Sequence, residues 1–587
     1  LGAVGFAFYK DGHVDTRVAP EDYTDTEQTL ELWNGVLRSG FRVNGRYVGV
    51  ETLVDAESDT LAVRVALDES WNLASGDARI EIDFPYGSPD KPAADWVAKD
   101  RHRTEIDSDR EGVVHINRKL DNDSYRVALR FAGAGFRRTE AHTLELVLRE
   151  RVSWLTASFG LSPSGCPAPV WEEAAGRTSD WWQAFWSRGG ALRLRDSIDP
   201  RAFELERRVV LSQYLTAIQC AGSMPPAETG LTCNSWYGKF HLEMHPWHAA
   251  HFPLWGRSDL LERSMDWYLR TLPVARRIAA SQGYRGARWP KMTDPSGRIA
   301  PSAIAVLLAW QQPHPILFAE LLYQSAPTRE TLEKYAPLVL ETADFMASFA
   351  HLDTRTGRRV LGPPLIPVQE THKPESTINP PFELAYFKWG LHMADTWRNR
   401  LNRRGDGADY LETARELAPL PVLDNLYIAH EHCPGTFTKS PFYYDHPSML
   451  GALGFVPGEH ADPVVMQRTL ERVITTWDRE SMWGWDFPMM AMTCVRLGLP
   501  ALAVDVLMMD TGKNRYLPNG HNPQSSSEAL PLYLPGNGGL LLATAMMAAG
   551  CNLVYGQCDW RPDACILPGF PSDGRWTVQA EGLRPYL

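Results

Sequence analysis

At 587 residues the chain exceeds what one hydrophobic core normally serves, so two or three domains are expected. Hydrophobic residues make up 44% and charged residues 22%, the balance of a soluble globular protein. A net charge of -12 argues against nucleic acid or an anionic membrane surface as partner, and no apolar run reaches the roughly 18 residues of a membrane span. The eight cysteines form no CxxC pair, which excludes a zinc ribbon or a thioredoxin-like motif. Cys551, Cys558 and Cys565 stand at regular intervals near the C-terminus and leave room for one disulfide, with free buried thiols the expected state. The chain begins at Leu1 with neither methionine nor a charged-then-apolar leader, which points to a processed or trimmed start. That leaves a cytoplasmic or an exported location open.

The first part reads as β-structure. "VGFAFYKDGHVDT" and "FRVNGRYVGVETLV" carry Asp-Gly and Asn-Gly turns between alternating segments. "TLAVRVAL", "ARIEIDF", "SYRVALRFAG" and "HTLELVLRERVSWLTASF" continue the pattern at short intervals, so residues 1–165 are expected to form an antiparallel β-sandwich. Residues 166–198 read as a helical linker in which Trp181, Trp182 and Trp186 gather. From 199 to 550 the periodicity is helical almost throughout, giving about a dozen helices, while 551–587 reads again as short strands. One predicted helix covers "PSAIAVLLAWQQPHPILFAELLYQ". Expected N-caps include Ser258 and Thr328. An even number of helices closes into an (α/α)6 toroid of six hairpins, whose inner helices line a funnel with its mouth built from loops. The fold class expected is therefore mainly α: a toroid preceded by a β-sandwich and followed by a small β segment.

Long loops rich in Trp, Pro, His and Asn separate the helices, and loops of that kind are usually functional. One holds Glu370 on "GPPLIPVQETHKPEST", just before the amphipathic segment with Phe382, Tyr386, Trp389 and Met393 on one face. Proline and aromatic neighbours exclude water and raise a carboxyl's pKa, the setting of a general acid. Glu375 is its nearest rival. The 21 tryptophans suit stacking on sugar faces, and equally the core of a large helical protein. His241, His245, His248 and His251 crowd near Glu243, but their spacing matches no zinc signature, and six residues of helix turn a side chain through about 240°. No metal is expected there.

Several segments, in order, resemble glycoside hydrolase family 65, the inverting α-glucoside phosphorylases and hydrolases. "YGKFHLEMHPWHAAHFPLWG…GYRGARWP" is similar to the family's aromatic-Asp-Thr-Glu segment, with His241 in place of the aspartate and Glu243 on the glutamate. "QQPHPILFAELLYQ…LVLETADFMASFAHLD" resembles two of its helices. Gly362-Pro363, Glu370, Asn379, Phe382 and Trp389 match its acid loop and following helix, and "SSSEALPLYLPGNGG" its Thr-x-Glu element.

The resemblance implies a two-carboxylate inverting reaction, in which an acid and a base stand about 6.5–9.5 Å apart. It puts the general acid at Glu370 and the general base at Glu528, with Asp486 as the alternative base. Family phosphorylases bind phosphate through paired serines and a basic residue, whereas "WGWDFPMM" carries no serine and "YDHPSML" no lysine, so hydrolysis is expected. The sugar would be held by Trp236, Tyr237, Lys239, His241, Glu243, Trp289, Lys291, Gln311, Gln312, His314, Trp485, Asn519 and His521. The function expected is exo-acting cleavage of an α-linked oligosaccharide or glycoside by a monomer or homodimer without cofactor. An inverting glycoside phosphorylase is an alternative. A polysaccharide lyase that neutralises a uronate with Arg285, Arg288 or Arg515 is another, and a sugar-binding protein with a degenerate site is the reading without catalysis.

Overall fold

The computed structural model describes all residues except 1, 11–12, 89–92, 111, 161–165, 406, 459, 525–529 and 552–567. Backbone contacts divide the chain into two units, 1–188 and 189–587.

In the first unit Asn44 and Gly45 both adopt positive φ (50° and 78°), the conformation a two-residue hairpin turn needs, and Val43 pairs with Arg46 across it. That hairpin belongs to an eight-stranded antiparallel sheet running His102–Arg110, Val113–Leu120, Asp123–Ala132, Val152–Gly160, Thr60–Leu67, Arg46–Val54, Val36–Val43 and Tyr23–Glu31. A five-stranded sheet, Ala134–Arg138, Thr143–Leu148, Ala78–Asp83, Ala3–Lys10 and His13–Arg17, covers it. Alternate side chains of both sheets, among them Val48, Val65, Ile80, Ile82, Leu129, Leu146 and Leu155, make one buried core. The helix Trp171–Ser187 lays Trp171 and Ala174 on Val36, Leu53 and Ala62, and Arg177 grips Asp55 with two hydrogen bonds (3.1 and 2.5 Å).

The second unit is the toroid. Six inner segments touch in sequence around a closed ring among the described residues: His245–Ala249 with His251–Leu254, then His314–Ser325, Pro381–Arg400, Gly451–Gly454, Asp486–Arg496 and Leu534–Ala549. The outer helices are Ala202–Gln219, Ser258–Ser281, Arg329–Phe349, Tyr410–Glu416, Pro463–Thr476 and Pro500–Leu507. The last inner helix packs on the first inner segment and the first outer helix, which closes the ring. Gly538 permits that contact, since a Cβ there would meet the Trp247 carbonyl oxygen at 1.9 Å. Every residue of Asp486–Arg496 is buried, as expected of a helix surrounded by helices. Most tryptophans in this unit serve that interior. Trp247 stacks on Trp485 (5.0 Å) and Trp310 lies near both Trp485 and Phe382 (6.3 and 5.8 Å).

Two local expectations differ from what is observed. The predicted helix over "PSAIAVLLAWQQ" is instead bends and turns, and helix starts only at His314. Leu308 bridges to Ile366 and Leu307 accepts from Ile366 N–H, so this backbone is committed to pairing with the acid loop. The cap before Ser258–Ser281 is Arg257, with Ser258 already helical, whereas Thr328 caps as expected by accepting from Thr331 N–H at 3.1 Å. Of the three C-terminal cysteines, Cys551 is a free buried thiol, and Cys558 and Cys565 lie outside the described residues. Among the described residues no helix is long and apolar enough to cross a membrane.

Candidate active site

The loops entering the N-termini of the inner helices converge on one cluster of charges. Glu370 is placed by its neighbours on either side. Val368 N–H donates to Glu383, a fully buried carboxyl in the first turn of Pro381–Arg400, at 2.9 Å. Gln369 Nε2 donates to the carbonyls of Phe442 and Tyr444 (2.8 and 2.7 Å), and Glu370 N–H to Asp445 Oδ2 (3.3 Å). The Glu370 side chain is half-buried and Glu375 is exposed. Lys291 donates to Glu370 Oε1 and lies 3.5 Å from Glu243 Oε1.

Two further cations repeat that arrangement. His241 Nδ1 lies 3.1 Å from Glu228 and 3.3 Å from Glu243. His446 Nδ1 contacts both oxygens of Asp486 at 3.0 Å, and its Nε2 lies 3.5 Å from Asp445. Three cations thus each sit between two carboxylates. Burial opposes the charge on His241, but Glu228 and Glu243 outweigh it and hold the imidazole up at about 9. Burial and then Asp445 and Asp486 act the same way on His446, also raised to about 9. Burial raises the Glu370 carboxyl against the pull of Lys291, with Glu243 and Asp445 adding to the rise. Asp486 is raised by its burial, against the pull of His446.

The other residues singled out from the sequence divide into three groups. Trp236, at positive φ and 37% exposed, lies 5.4 Å from the His241 ring and 6.3 Å from Trp483, at the rim of the cluster. Tyr237 is exposed beside it, with Lys239 over its ring at 5.3 Å while donating to Pro301 O. A second group braces the cluster from beneath. Trp289 donates through its indole to Thr342, Gln311 and Gln312 both bind the Trp289 carbonyl, and His314 joins Tyr386 to the Glu243 carbonyl. Trp485 lies in the aromatic floor, 4.3 Å from the His446 ring. Third, Asn519 accepts from His521 N–H at 3.1 Å within its own turn. Glu528 lies outside the described residues.

Glu228, Asp445, His446, Trp483 and Lys513 belong to the cluster and were not singled out. Trp483 donates to Asp445 at 3.0 Å, and Lys513 lies over the Trp483 ring at 4.6 Å. The available signal was "YDHPSML" beside "WGWDFPMM": two acid-bearing aromatic loops, each leading into an inner helix. Glu228 Oε2, both Glu243 oxygens and both His241 nitrogens are buried without a hydrogen bond, the condition of groups built to meet a ligand. One donor atom each from Glu228, His241 and Glu243 come within 4.8 Å of one another, but imidazolium and Lys291 already compensate these carboxylates, which speaks against a cation there.

No family model matches this sequence, and no curated protein matches it. Solved structures do share its fold. One assigned as a kojibiose phosphorylase from the human microbiome superposes over 93% of this chain and 79% of its own, at 11% identity and a TM-score of 0.70. A bacterial glucoamylase complexed with acarbose superposes over 92% of this chain and 88% of its own, at 13% identity and a TM-score of 0.57. The fold shared with these structures is an antiparallel β-sheet domain followed by an (α/α)6 toroid of six hairpins.

Proposed function

We propose that the protein is an inverting, exo-acting glycoside hydrolase on an α-linked oligosaccharide or glycoside. The observation that carries this reading is Glu370, a half-buried carboxyl raised by burial and joined through Lys291 to the buried carboxylate Glu243. Protonated Glu370 delivers its proton to the departing glycosidic oxygen as the bond to the anomeric carbon breaks. Water attacks the opposite face and loses its proton to a base. Asp486 is poorly suited to that role, because both its oxygens face His446 and one also accepts from Trp483 N–H at 2.8 Å. The resemblance to the family's Thr-x-Glu element puts the base at Glu528. Glu228 Oε2, His241 Nε2 and Glu243 Oε2, which make no hydrogen bond, are offered to sugar hydroxyls, and Trp236 offers its ring face.

Hydrolysis is supported over phosphorolysis by the charge arrangement. With Glu370 protonated, Lys291, His241 and His446 still share four carboxylates, Glu228, Glu243, Asp445 and Asp486, so the cluster carries no surplus positive charge for a phosphate dianion. Lys513 is the feature that favours the phosphorylase reading, since it lies over the Trp483 ring and makes no ion pair among the described residues, although burial disfavours its charge. A lyase is disfavoured because Arg288 donates to Gln282 and Val306 and packs on Phe345, while Arg285 and Arg515 are exposed. An oligosaccharide panel assayed with and without phosphate, with NMR of the first anomer released, tests the reading. Phosphate-independent release of inverted sugar is expected; strict phosphate dependence or retained configuration overturns it.

A further inference from the structure

The helix Pro381–Arg400 opens on Pro380-Pro381-Phe382-Glu383. Pro380 is its N-cap and Pro381 its first helical residue, so Glu383 stands at the third helical position. A glutamate there ordinarily reaches back to the N-cap N–H to complete a capping box. Proline has no N–H, and that local partner is missing. The Glu383 carboxyl turns to the acid loop instead, where its Oε1 accepts from Val368 N–H at 2.9 Å.

Keeping a carboxyl in this place is costly. Glu383 is 0% exposed, pairs with no cation among the described residues, and leaves its Oε2 buried without a hydrogen bond. Burial raises it to about 7, against the pull of its own N–H and of Val368 N–H. An apolar side chain of similar size would avoid that cost. The carboxyl does one thing such a side chain could not, which is to fix the backbone two residues short of Glu370. Ile366 N–H donates to the Leu307 carbonyl, Val368 N–H to Glu383, and Glu370 N–H to Asp445 Oδ2. Alternate N–H groups of the stretch 366–370 are thus all taken, two of them by carboxylates.

We propose that Glu383 is the positioning residue of the general acid: it holds Val368 N–H, and through it sets where Glu370 presents its proton. The inference rests on the assignment of Glu370 as that acid. Glu383 is sealed from the substrate and acts through geometry alone. Misplacing a catalytic group by about 1 Å costs on the order of 100-fold in rate, here only in the step that needs the proton.

The test measures kcat and KM on two substrates of one sugar, an oligosaccharide whose leaving alkoxide needs the proton and a nitrophenyl glycoside whose phenolate does not. Glu383→Leu removes the acceptor, and Glu383→Asp keeps the charge but draws the oxygen back by about 1.5 Å, one bond length. Each is expected to lower kcat on the oligosaccharide by about 10–100-fold, with KM within ~2-fold and nitrophenyl turnover within ~3-fold of wild type. Nitrophenyl turnover also reports that the variant has folded, and a Leu variant that does not fold leaves the Asp variant to decide. Glu383→Gln retains Oε1 and is expected within ~5-fold of wild type on both substrates. In the Glu370→Gln background neither Leu nor Asp adds a further loss, because no proton remains to be aimed. Unimpaired Leu and Asp variants, equal losses on both substrates, a Gln variant as impaired as Leu, or losses that add to Glu370→Gln overturn the positioning role. If Glu370→Gln alone loses nothing, or loses equally on both substrates, the acid assignment fails instead, and that result is read without any Glu383 variant.

Discussion

Lys291 forms an ion pair with Glu370, and the same ammonium lies 3.5 Å from Glu243. It therefore opposes the burial that raises Glu370, and sets how far the acid's pKa climbs. A general acid works only while protonated, so activity falls as pH rises through its pKa. Replacing Lys291 by Met removes the cation that favours the carboxylate. The alkaline limb of kcat/KM against pH is then expected to move upward, by about one unit or more. A limb that stays in place or moves down would detach Lys291 from the acid's titration.

The buried pair of His446 and Asp486 makes a stability prediction. Asp486→Asn leaves a fully buried imidazolium with only the more distant Asp445, and breaking a buried pair this way costs about 3–5 kcal/mol. Denaturant unfolding of wild type and variant measures it, and a loss under ~1 kcal/mol would show that the pair is not charged.

The same histidine imposes a pH dependence on stability. Its folded pKa of about 9 exceeds the unfolded value of 6.5, so its contribution is fully present below pH 6.5 and is lost as pH rises through about 9. His241, also raised to about 9, acts in the same direction. Stability is expected to decline between these pH values by an amount on the order of 3 kcal/mol for each imidazole, and His446→Gln should flatten part of that slope. Stability that rises over this interval would contradict the assigned charges.

At the rim, Trp236 offers an exposed ring 6.3 Å from Trp483. Trp236→Ala should raise KM by about 3–10-fold with little change in unfolding midpoint, the scale of a single aromatic contact. An unchanged KM would remove Trp236 from the binding surface.

Elements whose backbone follows side-chain period were legible in the sequence. The Asn44-Gly45 hairpin, the Pro381–Arg400 helix and the Thr328 cap depend on residues close in the chain. The stretch 301–313 misled because its backbone at Leu307 and Leu308 pairs with Ile366, a partner far along the sequence. Glu370 stood out because proline and aromatic residues flank it locally. Glu228, Asp445 and His446 did not, since their importance lies in His241, Glu370 and Asp486, which only the closed ring brings near. Gln311, Gln312 and His314 stood out for their polarity but were not legible as braces, because they bind backbone carbonyls.

The central claim is that Glu370 protonates the leaving oxygen. It is tested most directly by comparing Glu370→Gln with wild type on two substrates of one sugar, an oligosaccharide and a nitrophenyl glycoside. The oligosaccharide leaves as a strongly basic alkoxide and needs the proton, whereas nitrophenolate departs without it. The account predicts that kcat/KM falls by about 10²–10⁴-fold on the oligosaccharide and by less than ~10-fold on the nitrophenyl glycoside. Equal losses on both substrates, or no loss on either, would contradict it.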